Sequence, residues 1–182
     1  MTGLVLEDAL IERVLHSHRG SLGADFNGYR NHVYRVASLF NELGPNKFDS
    51  TPALAVAAAF HDLGIWVHGT FDYLEPSADL AQRFLETERV DQVDCGLVRE
   101  LILQHHKVRE FRMNPWSSLV EQWRMADHVD VSLGLLSFGL PRYRIRAIQR
   151  SLPNHGFHTR LLALTLREFT RKPWNPLPMI RW

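Results

Sequence analysis

The stretch PALAVAAAFHDLG, residues 52–64, decides the fold class. Five alanines alternate with Leu, Val and Phe over Ala53 to Phe60, and alanine is the strongest helix former. With no polar side chain in that run, the segment reads as a helix buried on most sides. Asp49, Ser50 or Thr51 supplies an N-cap, Pro52 suits the first turn, and Gly64 marks the stop. The helix delivers His61 and Asp62 into an apolar setting, where an unpartnered carboxylate is destabilising unless it is paired or coordinated. Adjacent helical positions diverge by about 100°, so the two converge on one point only near a helix end or with other helices wrapped around them.

Working outward, apolar positions recur at helical spacing almost everywhere, and strand-type alternation does not persist. The chain is therefore expected to be all-α, a single helical bundle spanning residues 1–182. Expected helices run from about Leu6 to His18, Asn27 to Leu43 with an end at Gly44-Pro45, and Pro52 to Gly64. The segment IWVHGTFDYLEP reads as a loop, with Ser77 opening a helix through Thr87. Asp91 or Asp94 starts another carrying LVRELILQHHK. After Asn114-Pro115, Ser117 or Ser118 opens a helix through LVEQWRMADHVDVSLGLL. Two more cover about Pro141 to Ser151 and His155 to Arg171, and the tail with Pro173, Pro176 and Pro178 cannot continue as a helix.

At 182 residues and 21.1 kDa the chain suits one domain that buries its core without staples. Apolar residues at 45% and charged residues at 23% exclude a disordered or membrane-embedded composition. The single cysteine, Cys95, cannot form an internal disulfide. The N-terminus mixes acids into its apolar positions, unlike a signal peptide, and the longest apolar stretches fall short of the roughly 18 residues of a spanning helix. The expected location is cytoplasmic, with no membrane partner. The net charge of +1 hides an asymmetry, because Leu133 to Trp182 holds nine Arg or Lys against Glu168 alone. That basic segment either attracts a phosphorylated ligand or faces the acidic remainder of its own domain. No nucleic-acid motif interleaves aromatics with its basic residues, so nucleic acid is not an expected partner. Trp116, Trp123, Trp174 and Trp182 have two open destinations, the core or a homodimer face.

Two more positions join His61 and Asp62. His32 sits inside a helix in YRNHVYRV, and Asp127 follows Met125 and Ala126 in WRMADHVDVS, which turns it toward the packed side. Two imidazoles and two carboxylates form a mixed N/O ligand set suited to a divalent Mn, Fe, Co, Ni or Zn ion, with positions left for water or substrate. Asp130, three residues on, and His128 are rivals for Asp127.

In His32, His61-Asp62 of FHDLG and Asp127 of MADHVD, over roughly Asn27 to Leu136, the chain resembles the HD-domain superfamily of metal-dependent phosphohydrolases. The resemblance implies a metal site of His32, His61, Asp62 and Asp127, with Asp127 favoured over Asp130. It implies hydrolysis of a phosphate ester, of a nucleotide or another small phosphorylated molecule, by metal-activated water. Arg30, Lys107 and His68 are candidate substrate-binding groups, and Glu75, His105 and His106 join Asp62 as candidate catalytic residues. One of His105 and His106 is expected to face the site, since adjacent helical positions diverge. Glu75 is read either as holding a water or as opening the helix at Ser77. Leu63 to Trp66 lack the acidic residue that follows the doublet in some nucleotidases, and no Gly-Tyr-Pro follows His106. The alternatives are a di-iron oxygenase of the same superfamily, a nitrile hydratase, and a metal-stabilised regulatory module without catalysis.

Overall fold

The computed structural model describes residues 3–88, 90, 93–112 and 115–180, so Asp91, Asn114 and Trp182 lie outside the described residues. Among the described residues the chain is all-α, with no strand. Among the same residues no helix is long and apolar enough to cross a membrane.

Helix α1 (Ala9–Ser17) opens where the Asp8 carboxylate accepts from the amides of Leu10 and Ile11. The short α2 (Arg19–Leu22) and a 3-10 turn lead into α3 (Phe26–Leu43), the longest helix, which buries every residue from Asn31 to Phe40. Thr51 caps α4 (Pro52–Phe60), whose residues from Ala53 onward are all buried. A helix apolar on every side has to be enclosed, and α4 packs against α1, α3, α6 and α7.

The chain then departs from its expected course. Helix α4 ends at Phe60, the turn 61–63 follows, and Gly64 begins the short helix α5 (Gly64–Val67) rather than stopping a longer one. Glycine is needed there for closeness: a Cβ would stand 2.8 Å from both Ser77 Oγ and the Tyr73 carbonyl. The Gly64 amide donates to Ser77 Oγ. Helix α6 (Leu74–Glu88) accordingly starts three residues before Ser77, with Pro76 in its first turn, where a missing N–H costs nothing.

Helix α7 (Cys95–Gln104) is capped by Asp94, and α8 (Ser117–Val131) lies along α3 in the most extensive packing of the fold. The expected continuation of α8 through Leu136 is replaced by turns with Leu133 in the left-handed region. Helix α9 (Arg142–Ser151) and helix α10 (Phe157–Arg171) both pack on α3. The basic segment partly faces the acidic one, since Arg144 pairs with Glu42 at 2.9 Å and Arg160 with Asp25 at 3.0 Å. Trp123 is fully buried, whereas Trp174 is exposed.

Candidate metal centre

Six side chains from four parts of the bundle meet at its centre. His32 projects from the middle of α3 and Asp127 from α8, while His61 and Asp62 occupy the turn after α4. His105 and His106 occupy the turn after α7. His32, His61, Asp62, His105 and Asp127 are fully or almost fully buried, and the His106 side chain is 13% exposed. Within each of two groups, His32–His61–Asp127 and Asp62–His105–His106, one ligand atom per residue lies within 4.8 Å of the others.

Each Asp offers one oxygen to each group. Asp62 Oδ2 lies 3.5 Å from His32 Nε2 and 3.7 Å from His61 Nε2, while its Oδ1 lies 3.3 Å from His105 Nε2. Asp127 Oδ1 stands 3.6 Å from His32 Nε2, and its Oδ2 stands 3.5 Å from His106 Nδ1.

The outer nitrogens of three imidazoles are already committed. His61 Nδ1–H donates to the Ala58 carbonyl at 2.7 Å and His105 Nδ1–H to the Ile102 carbonyl at 2.6 Å. His32 Nδ1–H donates to Asp130 Oδ2 at 2.7 Å. An imidazole whose Nδ1 carries the proton presents a lone pair at Nε2, and outer partners of this kind orient metal-ligating histidines. His32 and His61 bring their Nε2 atoms to 2.8 Å. Two lone pairs at that distance repel unless a proton or a cation lies between them.

Asp62 Oδ1, His105 Nε2 and both Asp127 carboxylate oxygens are buried without a hydrogen-bond partner. Buried polar atoms are ordinarily satisfied, and cations held by the two groups would satisfy these. Burial alone would lower His32, but Asp130 and then Asp62 pull it up to about 9. Burial raises Asp127 above the carboxylate range. Burial raises and His61 lowers Asp62, whose net position is well below that range. His61 is driven down to about 3, chiefly by burial. Burial and neighbouring charge thus push His32 and Asp127 toward their protonated forms and His61 and Asp62 toward their deprotonated ones. The residues present therefore fit a metal ion, and the arrangement is compatible with an HD-like fold.

No family model, curated protein or solved structure matches this chain.

Both His105 and His106 face the cluster, against the expectation that only one would. Divergence applies to residues inside a helix, and α7 ends at Gln104. Of the remaining expected site residues, none is among the residues of the two groups. Arg30 is paired with Glu12 through two nitrogens at 2.7 Å and lies over the Tyr34 ring. His68 is an exposed residue closing α5, and Glu75 pairs with Arg99 on the surface. Lys107 donates its amide to the Gln104 carbonyl and accepts Arg124 at its own carbonyl.

Asp130, named from sequence only as a rival of Asp127, and several residues that sequence reasoning passed over support the ligands. Asp130 is buried and holds His32 while receiving Arg35 Nε at 2.6 Å and Arg35 Nη2 at 2.9 Å. Burial raises the Asp130 carboxyl, but His32 and Arg35 outweigh it and hold it well below the usual range. The signal was legible in principle: His32 and Arg35 on α3, like Asp127 and Asp130 on α8, are three residues apart and share a face. The Tyr29 hydroxyl accepts the Asp62 amide and donates to the Ala59 carbonyl, clamping the turn. Tyr73 O–H meets His106 Nε2 at 2.6 Å, and Phe157 stacks on His32 with ring centroids 4.1 Å apart. His128, the other rival of Asp127, binds Arg124 instead.

Proposed function

We propose that this chain is a metal-dependent phosphohydrolase of the HD type, acting on a small phosphate ester. The observation that carries the reading is the set of buried, unsatisfied carboxylate and imidazole atoms converging at the centre of the bundle. Its support from sequence is the resemblance of His32, His61-Asp62 and Asp127 to the motif of that superfamily. His32, His61, Asp62 and Asp127 would hold one ion, and His105 and His106, sharing the two carboxylates, would complete a second position. A divalent ion bound there supplies Lewis acidity toward a phosphoryl oxygen and makes a nearby water a better nucleophile.

The chain's own groups do the rest. Asp130 and the Ala58 and Ile102 carbonyls hold three imidazoles in the orientation that presents Nε2 inward. The buried walls exclude bulk water and strengthen each electrostatic contact. His106 is the cluster residue reached from outside, and burial and then the nearby His105 keep it neutral. It is the point at which an entering phosphoryl group would first meet the cluster. Hydrolysis forms a phosphorus–oxygen bond to water and breaks the one to the ester oxygen, which leaves as the alcohol with a proton.

The test pairs metal content by mass spectrometry with phosphate release, using protein purified without chelator and the Asp62→Ala variant. The expected outcome is metal and phosphate release in the native protein and loss of both in a variant that stays helical by circular dichroism. Full activity in Asp62→Ala would sink the mechanism. The second triplet favours one rival: two equivalents of iron with oxygen consumption and no phosphate release would move the assignment to a di-iron oxygenase. Bound metal with neither reaction would leave a regulatory module.

A further inference from the structure

Beside His106 a groove of about 510 Å³ opens to solvent. Its walls are Val108, Val131, Leu136, Phe138 and Ile180, and its polar lining includes His106, Arg124 and His128. Val108, Leu136, Phe138 and Ile180 are each 40% exposed or more, although the chain has a well-filled core elsewhere. Large apolar side chains gathered around one concavity, and not scattered singly, mark a ligand surface.

The polar lining is largely spent on itself. Arg124 gives Nε and Nη2 to Glu121 at 2.8 and 2.6 Å, and Nη1 to the Lys107 carbonyl at 3.1 Å. Its charge is neutralised by that bidentate pair, so Arg124 is poorly suited to an anion. Arginine only donates, so the contact of Arg124 Nη1 with His128 Nδ1 at 3.1 Å makes that nitrogen an acceptor. His128 then keeps a single N–H, at Nε2.

The loop that forms one wall is built at a conformational cost. Leu133 (φ 55°) and Phe138 (φ 47°) both sit in the left-handed region, which side chains of this size rarely adopt. Such strain persists where the surroundings impose it, and it clusters at ligand sites. Here the Phe138 ring lies 5.7 Å from the Arg124 guanidinium carbon and 6.3 Å from the His128 ring.

We infer that this groove receives the ester group of the substrate, and that the group is aromatic or alkyl, not a sugar or base that needs many hydrogen bonds. The inference rests on the phosphohydrolase reading and narrows its substrate class away from nucleotides. His106 joins the two regions, since it lines the groove and also faces Asp62 and Asp127. A phosphoryl group directed at His106 would leave its ester carbon in the groove. The volume suits a ring system or a medium alkyl chain.

The experiment uses the full chain loaded with Mn²⁺. Binding of 1-naphthol, the product alcohol, is measured by calorimetry, and kcat/KM is compared for 1-naphthyl phosphate, methyl phosphate and adenosine monophosphate. The wild type is expected to prefer the naphthyl ester at least tenfold over the other two. Leu136→Glu and Val108→Glu, both at exposed positions, are expected to weaken naphthol binding at least tenfold and to drive the preference toward one, with metal content retained. Equal turnover of the three esters, or naphthol binding unchanged in both variants, would overturn the groove assignment and leave the phosphohydrolase reading standing. If no ester releases phosphate while naphthol binds and both variants weaken it, the hydrolase reading falls, and the groove remains a site for an aromatic ligand.

Discussion

Replacing Asp130 by Asn tests whether the outer carboxylate positions the metal centre or only completes the core. The change keeps the shape but removes the charge that receives Arg35 at 2.6 and 2.9 Å and His32 at 2.7 Å. Arg35 is 2% exposed, and its remaining acceptors are the Leu152 and Pro153 carbonyls. Stranding a buried charge in this way costs about 3–5 kcal/mol. Loss of an outer partner to a ligating histidine weakens metal binding by about 10- to 100-fold. Urea unfolding of the metal-free protein reads the first quantity and competition with a chromogenic chelator the second. The double variant Arg35→Met/Asp130→Leu removes both charges, so it should recover most of the lost stability while metal affinity stays low. A metal-free Asp130→Asn protein within about 1 kcal/mol of wild type, a margin that surface changes approach, together with unchanged metal affinity would refute the reasoning.

Metal affinity should also depend on pH with a definite sign. His32 is raised to about 9, so in the metal-free protein it carries a proton at neutral pH that an ion must displace. Apparent affinity should therefore fall about tenfold per pH unit as pH drops below 9. A flat profile between pH 6.5 and 8.5 in chelator competition would contradict the raised imidazole. Gly64→Ala would place a methyl group 2.8 Å from Ser77 Oγ and the Tyr73 carbonyl. That overpacking should cost about 1–3 kcal/mol in denaturant melts, whereas a neutral substitution would show that the two helices separate freely.

How far the site was legible follows from range along the chain. The doublet could be read because its evidence is local: an alanine-rich run, a cap and a turn. The failure at His105 and His106 came from extending α7 past Gln104, since one residue of helix more or less decides whether neighbours diverge. The helix start at Leu74 was missed because Ser77 looked like a cap, whereas its hydroxyl receives the Gly64 amide. Asp130 was visible as a neighbour of Asp127, but its burial depends on Arg35, 95 residues earlier. Glu12, which occupies Arg30, lies on α1, and no periodicity within α3 reports it.

One feature of the backbone sets the order in which the molecule can mature. The six clustered side chains lie between residues 32 and 127, yet the far side of His32 is covered by Phe157. Arg35 and Asn31 are anchored by the carbonyls of residues 152 and 153, and His158 bonds the Asp130 carbonyl at 2.8 Å. A nascent chain thus carries every candidate ligand well before it carries the wall that encloses them. Metal taken up during synthesis would enter an open, hydrated cleft, and its exchange would slow only once residues 152–158 had folded back.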